Sequence, residues 1–78
     1  MMDMQIEAQV LLLGIYKRKE SESLNDVVMM LEDTGMFSYK EGKKYLKSLK
    51  EDGYLEEDRL TVTGTQKAQE VEAGFKLQ

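Results

Sequence analysis

The residues of this sequence best suited to binding chemistry are five lysines within one short segment. Residues 39 to 50 contain these lysines and a single acidic residue, Glu41, which gives the segment a net charge of +4. The whole chain carries −4, so the rest of it carries −8. This distribution concentrates the attraction for a negatively charged partner on one segment. The five residues are Lys40, Lys43, Lys44, Lys47 and Lys50.

The spacing of the lysines predicts that they lie on one side of a helix. Ser38 and Glu41 match a capping box, in which each side chain accepts a free N–H group of the first helical turn, so a helix is predicted over Tyr39 to Asp52. On it, the first four lysines lie within about 100° of one another and Lys50 continues the edge of their row. The predicted inner face consists of Gly42, Tyr45, Leu46 and Leu49.

A row of ammonium groups can pair with phosphates and release their counterions. The helix contains no arginine, asparagine or glutamine for bidentate contacts with base edges. The row therefore predicts affinity for phosphates with little recognition of a particular base sequence. Tyr39, Ser38 and Ser48 are its other polar candidates. The alternative interpretation is a solvated helix face, on which Glu41 and Glu51 form exposed ion pairs worth a few tenths of a kcal/mol.

Other chemistry finds little support in the sequence. Cysteine and histidine are both absent, which removes thiolates, the commonest general base and the usual zinc ligands. The consecutive carboxylates Glu56, Glu57 and Asp58 are interpreted as a solvated turn, because neighbouring turn residues point in different directions. Gly42 and Gly64 fit no phosphate-binding loop. We therefore expect no enzyme, catalytic residue, metal, cofactor or small-molecule site.

Length and hydropathy predict one domain over residues 1–78, near the lower size limit for independent folding. No segment approaches the roughly 18 apolar residues of a membrane span. The start, Met1 to Met4, lacks the basic opening of a signal peptide. We expect a cytoplasmic protein without a membrane partner.

Apolar periodicity predicts the remaining elements. A first helix is predicted over Met4 to Lys19, and a second runs from a Ser23 cap to about Asp33. Short strands at residues 54–56 and 59–62 form a hairpin around Glu57 and Asp58. A fourth helix follows, with Thr63 as its cap and Gln66 as the capping partner. The predicted fold is mainly α with a small β-hairpin (α+β), in the order helix, helix, helix, hairpin, helix.

This order, and two segments in particular, resemble a winged-helix (winged helix-turn-helix) domain. Residues 45–55 are similar to the exit of the recognition helix in many bacterial and archaeal regulators, and residues 60–64 with Ala68 resemble the passage after the wing in the MarR-like and PadR-like groups. The resemblance implies that the lysine helix is the recognition helix and that double-stranded DNA is the partner. The implied nucleic-acid-binding residues are Tyr39, Lys40, Lys43, Lys44, Lys47, Ser48 and Lys50.

The predicted wing departs from this pattern, because its tip carries three carboxylates, Glu56, Glu57 and Asp58, and Arg59 as the only cation. Either the wing points away from DNA or the domain does not bind DNA in the usual pose. The competing hypothesis is a winged-helix protein-interaction module that docks on an acidic partner or on itself.

Two apolar features leave further alternatives open. The wide apolar face of the first helix and the row Ala68, Val71, Phe75 and Leu77 form either a homodimer interface or a contact within the chain. Met29, Met30, Met36 and Phe37 form either an exposed patch for a dimer or another protein partner, or part of the core. Core packing is favoured for the last three, whereas Met29 lies off the apolar face.

Overall fold

The structure is a computed structural model that describes residues 4–76, with side chains to Phe75. In this range the chain forms four helices and one antiparallel pair of strands. The predicted α+β class and element order are confirmed, and the arrangement is compatible with a winged helix. The elements are α1 (Ile6–Lys17), α2 (Leu24–Asp33), α3 (Tyr39–Glu51), β1 (Leu55–Glu56), β2 (Arg59–Leu60) and α4 (Val62–Lys76).

Helix α1 lies at the centre of the fold and packs against α2, α3 and α4. The wide apolar stripe read from the sequence explains this position, because Leu11, Leu12 and Ile15 are all buried. One core therefore joins all four helices and the hairpin. Its other members include Leu24, Val27, Val28, Phe37, Leu46, Leu49, Leu55 and Ala68.

Helix α1 is shorter than predicted at both ends. It begins at Ile6 and ends at Lys17. Of the consecutive cations Lys17, Arg18 and Lys19, only Lys17 therefore lies in its last turn. Arg18 is extended, and its guanidinium donates hydrogen bonds to the backbone carbonyls of Glu22, at 3.0 Å, and Asp58. These contacts place Arg18 outside the helix and connect the α1–α2 loop to the hairpin.

The apolar faces of α1 and α4 pack against each other within the chain. Ala68 and Val71 are buried, and Lys17 forms an ion pair with Glu72 across the contact. The intramolecular alternative therefore describes these residues, whereas Leu77 lies outside the described range. A homodimer through the first and last helices stays a prediction.

Both ends of α2 follow local sequence signals. Ser23 is the cap, as predicted, and it forms a capping box with Asp26, with both hydrogen bonds present. Gly35 ends α2 with a φ of 83°, and the Met36 N–H donates to the Leu31 carbonyl at 3.1 Å. This hydrogen bond, which spans five residues, is the one expected in a Schellman motif where glycine adopts the left-handed conformation.

Core packing was expected for Met30, Met36 and Phe37, and this expectation is wrong for the two methionines. Phe37 is buried, as expected, but Met30 is 47% exposed and Met36 is 36% exposed. Leu24, Val27 and Val28 already occupy the buried face of α2, so Met30 falls on its outer side. Met29, the residue predicted to lie off the apolar face, is 48% exposed.

The hairpin and the start of α4 also differ from the prediction. Each strand has two residues, and Val62 belongs to α4 instead of β2. The cap of α4 is Thr61, whose hydroxyl accepts the N–H of Gly64 at 2.9 Å, so the assignment of this role to Thr63 with Gln66 is wrong. Glu57, in the predicted turn, has a φ of 58°.

None of the helices in the described part of the chain has the length and apolar character that a bilayer crossing requires.

Candidate nucleic-acid interface

Helix α3 carries the candidate site, and both of its ends are fixed by local hydrogen bonds. At the start, the Ser38 N–H donates to the Glu41 carboxylate at 2.9 Å, and the Glu41 N–H donates to the Ser38 hydroxyl at 3.1 Å. At the end, Gly53 has a φ of 84°, and the Tyr54 N–H donates to the Leu49 carbonyl at 3.0 Å. The helix is thus confined between Ser38, one residue before its start, and Gly53, two residues after its end.

The capping carboxylate has a pKa below the ordinary glutamate value. The Ser38 backbone N–H, the Ser38 hydroxyl and, to a smaller extent, the Lys44 ammonium group lower the pKa of Glu41. All three favour the ionised carboxylate. The Glu41 carboxylate therefore acts in the cap of α3, where its negative charge accepts the Ser38 N–H.

The inner face of α3 is buried and its outer face is basic. Gly42, Leu46 and Leu49 are buried, and Tyr45 is half-buried. The five lysines on the other side, which we call the lysine strip, are all exposed, as predicted from their spacing. Solvent-exposed ammonium groups in a row can approach a line of phosphates without loss of core packing. The lysine strip consists of Lys40, Lys43, Lys44, Lys47 and Lys50.

Tyr39 lies at the N-terminal edge of the lysine strip and is 38% exposed. Its backbone N–H donates to the Glu32 carboxylate at 3.3 Å, and its hydroxyl donates to the side-chain carbonyl of Asn25. The ammonium group of Lys43 lies 5.8 Å from the centroid of its ring, within the range of a cation–π contact. The phenol therefore contacts Asn25 of α2 and Lys43 of α3, and part of it faces solvent.

Sequence reasoning missed Asn25. Its amide lies on α2, outside the helix whose lysine spacing predicts the basic face. The structure brings its amide beside Tyr39 although the two residues are 14 positions apart. No spacing in the sequence indicates this contact, because it depends on how α2 and α3 pack against each other.

Ser48, the remaining predicted site residue, lies beside α1 and is half-buried. It lines a groove of about 370 Å³ between the start of α1 and the flank of α3, together with Tyr45 and Lys44. The pKa of Tyr45 is raised, mainly by partial burial and to a smaller extent by the nearby carboxylates of Glu7 and Glu41. Ser48 is thus at the border of the exposed basic face and not among its most exposed members.

The hairpin is tied to the α1–α2 loop by the Arg18 guanidinium, which donates a hydrogen bond to the Asp58 carbonyl. Leu55 pairs with Leu60, and Glu56 pairs with Arg59. Glu56, Glu57 and Asp58 are all exposed, as expected for a solvated turn. Residues 4–76 contain no cluster of three or more acidic side chains arranged to hold a metal ion.

Comparisons with known proteins give no match for this chain, whether with protein-family models, curated proteins or solved structures.

Proposed function

We propose that the chain is a small winged-helix DNA-binding protein, a transcriptional regulator or accessory factor, that binds double-stranded DNA through the lysine strip and acts as a dimer. The observation that carries this proposal is the separation of faces on α3. Leu46 and Leu49 are buried on one side, and five ammonium groups are exposed on the other. The chain otherwise carries −8, so the lysine strip is its main attraction for a polyanion.

The arrangement of elements supports the same proposal. Helices α2 and α3 are joined by a short turn, as in a helix-turn-helix, and the hairpin follows α3. In the winged-helix resemblance, α3 is the helix that enters the major groove. Lys40, Lys43, Lys44 and Lys47 would contact phosphates, and Lys50 extends the row.

The test is charge neutralisation in matched pairs. Lys43→Gln with Lys47→Gln removes two charges from the lysine strip, and Lys19→Gln with Lys67→Gln removes two charges from the α1–α2 loop and α4. We expect the first pair to weaken binding to random duplex DNA in a gel-shift titration and to flatten log K against log[salt] by roughly 0.9 for each lost contact. Unchanged binding by this pair would refute the proposal.

A second candidate function is a protein-interaction module that does not bind DNA. The exposed carboxylates of the wing tip and the exposed side chains of Met29, Met30 and Met36 favour it. Heparin chromatography and light scattering separate the two functions. A dimer that passes through a heparin column without retention would support the interaction module.

A further inference from the structure

Three side chains from two helices form a short chain of contacts beside the lysine strip. The sulfur of Met29 lies 3.4 Å from the amide nitrogen Nδ2 of Asn25, and Oδ1 of Asn25 accepts a hydrogen bond from the Tyr39 hydroxyl. Met29 and Asn25 are one turn apart on α2, and Tyr39 is the first residue of α3. The chain of contacts therefore ends on an exposed phenol at the start of the proposed recognition helix.

The order of these contacts fixes the role of the hydroxyl group. A thioether sulfur has no proton and can only accept a hydrogen bond. The NH₂ group of Asn25 must therefore face Met29, which leaves the amide oxygen to face Tyr39. This oxygen can only accept, so the hydroxyl proton of Tyr39 is committed to Asn25 and the phenolic oxygen can only accept from an outside group.

The position of the ring makes the phenolic oxygen relevant to DNA. The ring is anchored by its Asn25 contact and lies beside the Lys43 ammonium group, whose attraction to phosphate would bring the helix start towards the groove. In helix-turn-helix complexes the N-terminal residues of the second helix contact base edges. Each base pair presents one exocyclic amine and one keto oxygen in the major groove.

We propose that Tyr39 is a specificity-determining residue that accepts a hydrogen bond from a base amine, with Asn25 as its positioning residue. This inference rests on the proposed function. At the contacted position the protein prefers adenine N6 or cytosine N4 over the keto oxygens of thymine and guanine. A single neutral hydrogen bond of this kind gives a preference of about two- to ten-fold.

The experiment is selection from a pool of random-sequence duplexes, with sequencing of the bound fraction, for wild type and three variants. Tyr39→Phe keeps the ring and removes the accepting oxygen. Asn25→Ala frees the hydroxyl proton, so that the same oxygen can donate or accept. Lys47→Gln is the control, since it removes a phosphate contact away from the phenol. Thermal unfolding checks that each variant is folded.

We expect wild type and Lys47→Gln to enrich adenine or cytosine at one position, with lower overall affinity for the lysine variant. We expect Tyr39→Phe and Asn25→Ala to lose this enrichment while retaining duplex binding. Duplex binding by wild type without such enrichment, or enrichment that persists in Tyr39→Phe, would overturn this inference alone. Absence of duplex binding by wild type would overturn the proposed function as well.

Discussion

Gly64 lies directly against the backbone of Tyr54, where a methyl group on its α-carbon would be 2.0 Å from the Tyr54 carbonyl oxygen. This contact is between α4 and the segment that leads from α3 into the hairpin. A carbonyl oxygen of the backbone cannot move aside as a flexible side chain can. The contact therefore sets how closely α4 approaches the end of the helix that carries the lysine strip.

Gly64→Ala should destabilise the fold by about 3 kcal/mol, the upper part of the usual range for overpacking, because the clash is with backbone. Gly74→Ala in the same helix is the matched control. Nothing lies within 4 Å of its added methyl group, so it should stabilise the fold by up to about 1 kcal/mol through helix propensity. Urea unfolding measures both. Equal stability of the two variants would show that α4 does not pack as described.

Thr61→Ala should cost about 1 kcal/mol of unfolding free energy, since it removes the cap of α4. The Thr61 hydroxyl accepts from the Gly64 N–H at 2.9 Å and donates to the Gly53 carbonyl at 2.6 Å. Thr63→Ala, two residues later on the exposed surface, should change stability by less than half of that. Denaturant unfolding of the pair decides which threonine is the cap, and a larger loss for Thr63→Ala would reverse the assignment.

Acid should weaken the start of α3 through Glu41. Its pKa is lowered from the ordinary value of 4.5, so the folded state favours the carboxylate. This contribution to stability is present above pH 4.5 and is lost as the pH falls through the lowered pKa. In Glu41→Gln, glutamine still accepts from the Ser38 N–H but carries no charge.

The measurement is thermal unfolding of wild type and Glu41→Gln as a function of pH. Wild type should be the more stable at neutral pH, and the difference should shrink on acidification. Glu70→Gln, on the exposed surface of α4, controls for the change in net charge. A difference in melting temperature between wild type and Glu41→Gln that stays constant down to the acid end would rule out this role for the carboxylate.

Sequence signals that act over three or four residues predicted the structure best. The caps at Ser23 and Ser38 and the end of α3 before Gly53 are local hydrogen-bond or dihedral requirements, and each lies within one residue of its predicted place. The start of α4 was predicted two residues too late because Thr61 and Val62 are β-branched and follow the strand pattern. Glycine at position 64 also removes the side chain that would complete a visible capping box.

The candidate site was predictable only in part. The lysine strip depends on helical periodicity alone, and all five lysines are exposed as expected. The Tyr39–Asn25 contact depends on how α2 and α3 pack, which no spacing within one helix reveals. The exposure of Met30 has the same origin, because other side chains of α2 already fill the space against the core.

The most direct test of DNA binding through α3 is a titration of the wild-type chain with random duplex DNA at low and moderate salt. Five exposed lysines in one row predict measurable binding at low salt and a slope of about −4 for log K against log[salt] if nearly all of them meet phosphates. Absence of binding at low salt, or binding that does not change with salt, would contradict a phosphate-binding role for the lysine strip.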